Sequence, residues 1–367
     1  MLSVRCGGIV GTGNSGCAWH TARVTQQARG ARSVATLEEV AARAGVSRAT
    51  ASRVLRGESN VSAAAREAVH RAAREIHYRP NRVARSLVTG RSESIAFVVS
   101  ESEERMFAEP FFLGMLRAAQ EGIAAADLQM MFTVAATEDE RQRFIDYAAG
   151  GHVDGALLLS MHGSDDLQQR LEEVGVPTVL SGRPPDPAAD LYHVDADNVY
   201  GGRVATQHLI DQGRTAIATV TGFLDMCAGQ DRLAGYREAL AQAGVAPDDS
   251  LVMEGGFAMT EGYETTLRLL ERRPDVDALV MASDLAAMGA VRALQRLGRK
   301  VGDDVAVIGF DDIRAAAEHE PPLTTVRQPI SDLGATMARL LIDRLGGESP
   351  DEHAVLLPVE LVVRATA

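Results

Sequence analysis

Two arginines, Arg48 and Arg53, stand in a short segment whose remaining pattern is that of an amphipathic helix. On a helical projection Ala51 and Val54 face one side, while the arginines and Ala49 lie on the other. An arginine side chain presents several donors in a rigid fork, which matches the two acceptors on the major-groove edge of guanine. An arginine-bearing free face of this kind is typical of a helix that contacts DNA when a second helix positions it.

The residues before this segment predict a second helix that positions it. Thr36 and Glu39 have the spacing of a capping box, which marks a helix start. Gly45 can adopt the left-handed conformation that ends a helix, and Ser47 can cap the next one. An apolar stripe recurs at helical spacing in the first helix: Leu37, Val40, Ala41 and Ala44. Helix, glycine turn and helix together indicate a helix-turn-helix.

A third helix is predicted after Ser62, which is another candidate cap. Its buried face comprises Val69, Ala72, Ala73 and Ile76. Taken alone, residues 36–57 also fit an ordinary amphipathic helical hairpin that does not bind DNA.

The motifs LEEVAARAGVS, TASRVL, NVS, YRPN and ARSL follow one another in this order. In these motifs the chain resembles the DNA-binding headpiece of the lactose-repressor (LacI/GalR) family of bacterial transcription regulators. The resemblance implies that Arg48, Ala49 and Arg53 meet base edges, whereas Thr50 and Ser52 hold phosphates. The full set of DNA-contacting residues expected from it is Ser47, Arg48, Ala49, Thr50, Ser52, Arg53, Asn60, Tyr78, Asn81, Arg82, Arg85 and Leu87.

Residues 80–88 predict a helix of about two turns, too short to be stable alone in water. Pro80 suits its first turn, where no N–H donor is needed. A partly helical linker is the alternative. By resemblance this segment is the family's hinge helix, which orders when two subunits bind the operator. Leu87 is then expected to wedge into a base step from the minor groove and kink the duplex.

Charge is distributed unevenly along the 367 residues. The net charge of the whole chain is −13, which by itself argues against nucleic-acid binding. Residues 36–91, however, carry 11 Arg and 5 Glu, and residues 1–35 carry 4 Arg and no acidic residue. The remainder therefore carries −23. A basic module on an acidic body attracts DNA at one end and repels it elsewhere.

Several classes of protein are disfavoured by composition. Cys6, Cys17 and Cys227 are too few and too scattered for a disulfide framework or a metal site. No apolar run approaches the length of a membrane span. We therefore expect a cytoplasmic protein without metal or cofactor.

Residues 1–35 are rich in Gly, Ser, Thr and Arg and show no sustained periodicity. Residues 11–16 form a literal GxGxxG, but a dinucleotide site needs a complete βαβ unit around it, and the first predicted helix begins too soon. We expect a disordered leader, which start-codon choice could have added.

The body is predicted to be α/β. Short apolar runs at 94–100, 155–160, 178–180, 216–221, 278–282 and 305–310 read as buried strands, and helical stretches alternate with them. This pattern implies parallel sheets with helices on both faces, in two lobes. It resembles the periplasmic-binding-protein-like body of the same family.

The expected domains are a leader over 1–35, an all-α helix-turn-helix headpiece over 36–79, a hinge helix and linker over 80–91, and an effector-binding and dimerisation body over 92–367. Lobe 1 is expected at about 94–194 and 328–355, and lobe 2 at about 195–327 and 356–367.

Ligands of such folds lie beyond the carboxyl ends of the strands, here between the lobes. The residues matching the family's cleft positions are Phe111, Phe112, Arg232, Phe257, Ser283, Asp284, Asp311 and Gln328. We expect Arg232 and Asp311 to oppose each other across the cleft and to bind a polyhydroxylated neutral ligand, with the phenylalanines covering apolar sugar faces. A sugar is therefore the expected effector, and a purine is the alternative.

Each cleft residue also has a purely structural interpretation. The phenylalanines could be core aromatics, Arg232 a surface residue, and Asp284 or Asp311 a helix cap. Ser283 stands where asparagine is usual in the family, and Gly182-Arg183 stands where many members have an acid. These departures leave the effector's identity open.

The function expected from these residues is sequence-specific, effector-responsive repression of transcription. The partners are a near-palindromic double-stranded operator, a small effector and a second copy of the chain, as a homodimer or a dimer of dimers. The alternatives are a soluble sugar-binding protein and an enzyme that acts on a sugar or nucleotide. Neither explains residues 36–87, and no nucleophile paired with a histidine is evident.

Overall fold

A computed structural model describes residues 35–55, 57, 60–79, 90–163, 165–186, 188–347 and 353–367. The chain divides into two units, Met1–Pro80 and Asn81–Ala367. The first is the headpiece and the second is the body. Within the described ranges, no helix is both long and apolar enough to cross a membrane.

The headpiece contains three helices: α1 Leu37–Ala44, α2 Arg48–Leu55 and α3 Ala63–Glu75. The capping box at its start is confirmed. The Thr36 N–H donates to Glu39 Oε2 at 2.8 Å, and the Glu39 N–H donates to the Thr36 hydroxyl at 3.2 Å. Gly45 ends α1 at φ 67°, in the left-handed region that only glycine adopts without strain. The Ser47 hydroxyl then accepts from the Thr50 N–H at 3.1 Å and caps α2.

The three helices enclose a small apolar core. Its fully buried members come from all three helices: Val40, Ala41, Ala51, Val54, Val69, Ala72 and Ala73. The core is built almost entirely of alanine and valine, so the helices approach closely and little side-chain entropy is lost. Helix α2 contributes Ala51 and Val54 to this core, and its opposite face is exposed.

The body contains two six-stranded sheets, each at the centre of one lobe. The first, lobe 1, has the order β11-β5-β4-β3-β1-β2, and the second, lobe 2, has the order β12-β10-β9-β8-β6-β7. The strands of lobe 1 are β1 Ser94–Val99, β2 Gln129–Val134, β3 Gly155–Leu159, β4 Thr178–Ser181, β5 His193–Ala196 and β11 Ala354–Leu357. Those of lobe 2 are β6 Ile217–Thr221, β7 Val252–Glu254, β8 Ala278–Met281, β9 Ala306–Asp311, β10 Thr324–Arg327 and β12 Glu360–Val362.

Helices cover both faces of each sheet. They are α4 Glu103–Ala108, α5 Pro110–Ala125, α6 Glu138–Tyr147, α7 Leu167–Glu173, α8 Asn198–Asp211, α9 Cys227–Gln242, α10 Met259–Arg272, α11 Asp284–Arg296, α12 Arg314–Glu318 and α13 Ile330–Leu345. Alternate residues of β1 show the two-sided burial. Ile95 and Phe97 face a core with α5 and α13, while Ala96 and Val98 face a core with α6 and α7. The predicted α/β architecture is confirmed.

The chain passes between the lobes three times. It leaves lobe 1 after β5 and enters α8, returns after β10 through Gln328 and Pro329 into α13, and leaves again between β11 and β12. Three crossings place several segments at the junction, beside the carboxyl ends of the parallel strands. These segments supply much of the site described below.

All six strands predicted from apolar runs are present, and six others were not predicted. Four of the six lie at sheet edges, where one side of the strand is exposed and polar residues are tolerated: β2, β7, β11 and β12. Lobe 2 also departs from a purely parallel sheet, because β12 pairs with β10 in antiparallel orientation.

Candidate functional site: an exposed arginine helix and an interlobe cavity

Helix α2 presents the predicted base-reading face to solvent. Arg48, Ala49 and Arg53 are all exposed, whereas Ala51 and Val54 on the opposite side are buried. The Arg48 guanidinium lies 2.6 Å from Glu38 Oε1 of α1, and both side chains are largely exposed. Among the described residues, none pairs with the Arg53 side chain. The helix therefore offers one arginine held by an acidic neighbour and one that is available for a partner.

The other predicted DNA contacts of the headpiece lie around this face. Ser47 is exposed and its hydroxyl bonds to the Thr50 hydroxyl at 2.9 Å, so the two side chains are mutually oriented. Ser52 is half-buried and Asn60 is exposed. Tyr78 packs, half-buried, against the headpiece core. The remaining four predictions, Asn81, Arg82, Arg85 and Leu87, lie outside the described residues.

A cavity opens between the lobes at the carboxyl ends of the strands. It encloses about 850 Å³ of space, its open mouth included. Seven of the eight residues predicted for the effector line it: Phe111, Phe112, Arg232, Phe257, Ser283, Asp311 and Gln328. Its size and its mixture of aromatic and charged groups suit a small polar ligand with apolar faces.

The Arg232 guanidinium is held from three sides. Its Nε donates to Asn198 Oδ1 at 2.9 Å, its Nη1 donates to the Ala282 carbonyl, and its carbon lies 3.6 Å from the centroid of the Phe310 ring. No described residue accepts a hydrogen bond from Nη2. The side chain is thus fixed in place, and one of its nitrogens can donate to a ligand.

Close packing of α8 against α9 determines where Arg232 lies. A Cβ on Gly202 would overlap the Arg232 carbonyl oxygen, and one on Gly235 would overlap the Val199 carbonyl oxygen. Only glycine permits this approach of two helical backbones. These glycines of α8 and α9 carry no functional signal in the sequence, although they position a cavity residue.

Asp311 ends β9 with an unusual backbone conformation. Its φ is 119°, a region that non-glycine residues rarely adopt and that concentrates at functional sites. The Gln328 side-chain amide donates to Asp311 Oδ1 at 2.6 Å. Burial raises the pKa of Asp311, against the opposing effects of Arg232 and Gln328. The carboxyl group is therefore poised to gain or lose a proton when its surroundings change.

The expected opposition of Arg232 and Asp311 across the cleft is wrong. Arg232 lies on α9 and Asp311 ends β9, and both elements belong to lobe 2. The two groups share one wall because α9 packs beside the sheet whose carboxyl edge carries Asp311. Lobe 1 contributes aromatic residues to the cavity. Among them are Phe111 and Phe112, whose ring centroids lie 5.5 Å apart in an edge-to-face arrangement.

Asp284, the eighth predicted residue, does not line the cavity. It is fully buried, and its carboxylate accepts from the Thr325 hydroxyl at 2.5 Å and from the Ile313 N–H at 2.8 Å. Burial, reinforced by the neighbouring Asp311 charge, raises its pKa well above the usual range. The structure therefore gives Asp284 the role of supporting the turn after Asp311. Ser283, which lines the cavity, caps α11 and donates to the Phe257 carbonyl at 2.5 Å.

Among the charged and amide side chains that line the cavity, four were not singled out in the sequence: Arg105, Glu109, Asp195 and Asn198. Arg183 also lines it and was noted only as a departure from the family. Arg105 donates to Glu109 at 2.7 Å and also to Glu101. Asp195 accepts from the Asn198 amide at 3.0 Å, and burial raises its pKa to about 6. None of them belongs to a recognisable motif, so only their convergence in space identifies them.

Two family models match the chain. One, described as bacterial regulatory proteins of the lacI family, matches residues 36–81. The other, described as a periplasmic binding protein-like domain, matches residues 206–367. The first covers the headpiece with its exposed arginine helix, and the second covers most of lobe 2.

Relatives match nearly the whole chain. The chain is 48% identical over 330 residues to the HTH-type transcriptional regulator CelR of Thermobifida fusca, covering 90% of this chain and 97% of that protein. It is 33% identical to the ribose operon repressor of Halalkalibacterium halodurans, covering 90% and 96%. Both similarities extend through headpiece and body together.

Solved structures agree with this pattern. A transcriptional regulator CelR–cellobiose complex matches with a TM-score of 0.73 and 46% identity, covering 91% of this chain and 100% of that one. A lac repressor dimer bound to operator and the anti-inducer ONPF matches with a TM-score of 0.78 and 28% identity, covering 91% and 99%.

Proposed function

The chain belongs to the lacI family of bacterial regulatory proteins, and we propose that it is a transcriptional repressor whose affinity for operator DNA is controlled by a sugar bound between its lobes. The observation that carries the proposal is the presence in one chain of an exposed arginine helix and a fixed arginine–aspartate cavity. A solute-binding protein or a sugar-acting enzyme has no use for the former.

We propose that each segment of the chain has a separate role. Residues 36–79 read DNA, residues 80–91 link and contact the minor groove, and residues 92–367 bind the effector and a second subunit. The arginine-rich headpiece supplies the positive charge, while the body carries a large negative charge that keeps it off the duplex. Base specificity is assigned to Arg53 and Arg48, because bidentate arginine contacts discriminate guanine from other bases.

The cavity chemistry favours a neutral polyhydroxylated effector. Arg232 offers donors, the Asp311 and Asp195 carboxyls offer acceptors, and the Phe111 and Phe257 rings offer apolar faces for C–H groups. Every hydroxyl of a sugar both donates and accepts hydrogen bonds, so one ring can pair with all of these groups. Because the CelR structure similar to this chain holds cellobiose, we propose a glucose disaccharide of that type as the first effector to test.

We propose a homodimer as the DNA-binding unit, with a dimer of dimers as the alternative. A two-fold symmetric dimer reads two half-sites and makes the operator near-palindromic. The lac repressor structure similar to this chain is a dimer on its operator. Sedimentation equilibrium of the full chain, with and without operator, distinguishes the two assemblies.

Two linked measurements test the proposed function. Selection of bound sequences from a random DNA pool should return a near-palindromic site. Titration of that site, followed by fluorescence anisotropy, should then give an operator affinity that changes when cellobiose is added and does not change with a purine. An inducer weakens DNA binding and a co-repressor strengthens it. Recovery of no preferred sequence would remove the repressor assignment, and a response to purine alone would replace the sugar.

A further inference from the structure

Two loops of lobe 1 contact the N-terminal end of α9 in lobe 2. The first follows β3: His162 Nδ1 lies 3.0 Å from Asp225 Oδ2, and the Gly163 N–H donates to the Asp225 carbonyl at 2.8 Å. The second follows β4: the Arg183 Nε and Nη2 donate to the two Asp231 carboxylate oxygens, each at 2.8 Å. The loops that follow two neighbouring strands of lobe 1 therefore both form hydrogen bonds with the N-terminal part of one helix of lobe 2.

The two contacts differ in burial. The Arg183 side chain is 31% exposed and that of Asp231 is 14% exposed, so this bidentate pair is partly shielded from water. The Asp225 side chain is 52% exposed, and its contact with His162 is correspondingly more screened. The Arg183–Asp231 pair should therefore contribute more to holding the lobes together.

Both contacts are connected to the cavity through α9. Asp231 immediately precedes Arg232, and Cys227, one helical turn before Asp231, lines the cavity. Neither Asp225 nor Asp231 itself lines it. The Arg183–Asp231 pair therefore joins lobe 1 to the helix turn that carries the main donor to the ligand.

We propose that His162–Asp225 and Arg183–Asp231 form an interlobe clasp, which holds lobe 1 closed over the effector and against the helix turn that carries Arg232. The inference rests on the proposed function and deepens it, because it assigns the regulation of the same cavity. An effector can act only by binding one lobe arrangement more tightly than another. The clasp stabilises one of those arrangements without contacting the ligand through either aspartate.

One point of the clasp is titratable. His162 lies between two carboxylates, with Nε2 2.8 Å from Glu101 Oε1 of its own lobe and Nδ1 facing Asp225 of the other. The hydrogen bond to Glu101 is the largest cause that raises the pKa of His162, and Asp225 raises it further. The other charged groups around it are Arg105, bound to Glu101, and those of the adjoining polar pocket, Glu138, Arg141, Asp165, Asp166 and Arg170.

The sign of the pH effect follows from which partner is lost on opening. His162 keeps Glu101 when the lobes separate but loses Asp225, so the closed arrangement binds the proton more tightly than the open one. Falling pH therefore favours closure and effector binding, and this gain is lost as pH rises through the closed-state pKa of His162. Asp195, Asp311 and Glu109 also titrate at raised pKa values in the cavity, so only a comparison with a His162 variant isolates the effect.

A double-mutant cycle on the full chain tests the Arg183–Asp231 pair of the clasp. Cellobiose affinity is measured by calorimetry. Arg183→Ala and Asp231→Ala should each weaken binding by about tenfold, and the double variant should be no weaker than either single one. Arg273→Ala, which removes a surface ion pair with Asp248 and Asp275 within lobe 2, is the matched control and should leave affinity unchanged. Wild-type affinity in Asp231→Ala would overturn the clasp, and a loss confined to Arg183→Ala would then be assigned to Arg183 as a residue that lines the cavity.

The titratable point is tested by repeating the calorimetry between pH 6 and pH 8. The affinity of the wild type for cellobiose should increase on acidification. This increase should be smaller by a factor of roughly two to five in His162→Gln, and by the same factor in Asp225→Asn. His208→Gln, on the outer surface of α8, serves as the control. Equal pH slopes in all four proteins would refute the role of His162.

A measurement without ligand separates failure of the clasp from failure of the proposed effector. Small-angle X-ray scattering of the ligand-free full chain should show a larger radius of gyration for Asp231→Ala than for wild type or Arg273→Ala. This result supports the clasp even if cellobiose does not bind. Identical scattering of all three proteins, at pH values on both sides of neutrality, would contradict it.

Discussion

Replacing Arg232 by alanine is the most direct perturbation of the cavity. The guanidinium is fixed by Asn198, the Ala282 carbonyl and the Phe310 ring. No described residue accepts a hydrogen bond from its Nη2. A hydrogen bond from a charged donor contributes about 1.5–3 kcal/mol to binding. Loss of one such bond to the effector should therefore weaken cellobiose binding by about one to two decades.

The same substitution also has a structural cost that must be measured separately. It leaves Asn198 Oδ1 and the Ala282 carbonyl without their donor, and each unsatisfied buried group costs about 1–3 kcal/mol. The melting temperature should fall, while far-UV circular dichroism at 25 °C should still show a folded chain. Arg232→Lys keeps the charge without the planar fork and should bind cellobiose with intermediate affinity.

Calorimetry with cellobiose and operator titration by fluorescence anisotropy are the assays. Arg203→Ala is a suitable control, because Arg203 lies on the neighbouring helix α8 over the Tyr200 ring and does not line the cavity. If the sugar is an inducer, the Arg232→Ala protein should stay on its operator when sugar is added. If it is a co-repressor, the variant should fail to bind. Wild-type cellobiose affinity in folded Arg232→Ala would refute the assignment of this residue.

Three further changes test the DNA-binding face, the linker and the cavity wall. Arg53→Ala should cost about 1–3 kcal/mol and relax preference at one position of each half-site, and an unchanged site selection would exclude this arginine from base reading. Leu87→Ala, in the linker, should weaken specific binding and reduce DNA bending in a gel-based phasing assay, whereas equal losses on operator and random DNA would indicate a structural role. Gly222→Ala should displace the Phe257 ring, which a Cβ at this position would overlap, and lower sugar affinity several-fold; unaltered calorimetric affinity would show that the ring does not cover the ligand.

Local sequence patterns were sufficient to predict the headpiece. Caps, a left-handed glycine and helical spacing of apolar residues act within a few positions of each other, and the structure contains each of them at Thr36, Gly45 and Ser62. The ion pair between Glu38 and Arg48 was not foreseen. It depends on the angle at which α1 meets α2, which local spacing does not specify.

Strands were predicted where both faces are buried and were overlooked where one face is exposed or polar. Residues 94–99 form a continuous apolar run because helices cover both sides of β1. Strands such as β5, with the sequence HVDA, and β10, with TTVR, contain polar residues that find partners only through neighbouring segments. Thr325, for example, donates to Asp284, which is 41 positions away.

The amino-acid sequence by itself determined the fold class, the family and seven of the residues that line the cavity, because hydrophobic period, caps and motifs are encoded within short stretches. Only the tertiary structure decided how those residues are grouped. It placed Arg232 and Asp311 on one wall, withdrew Asp284 into the core, and brought Arg183 and His162 of lobe 1 onto α9. The physical reason is that three crossings between the lobes and the glycine-mediated approach of α8 to α9 bring together side chains that no local pattern relates.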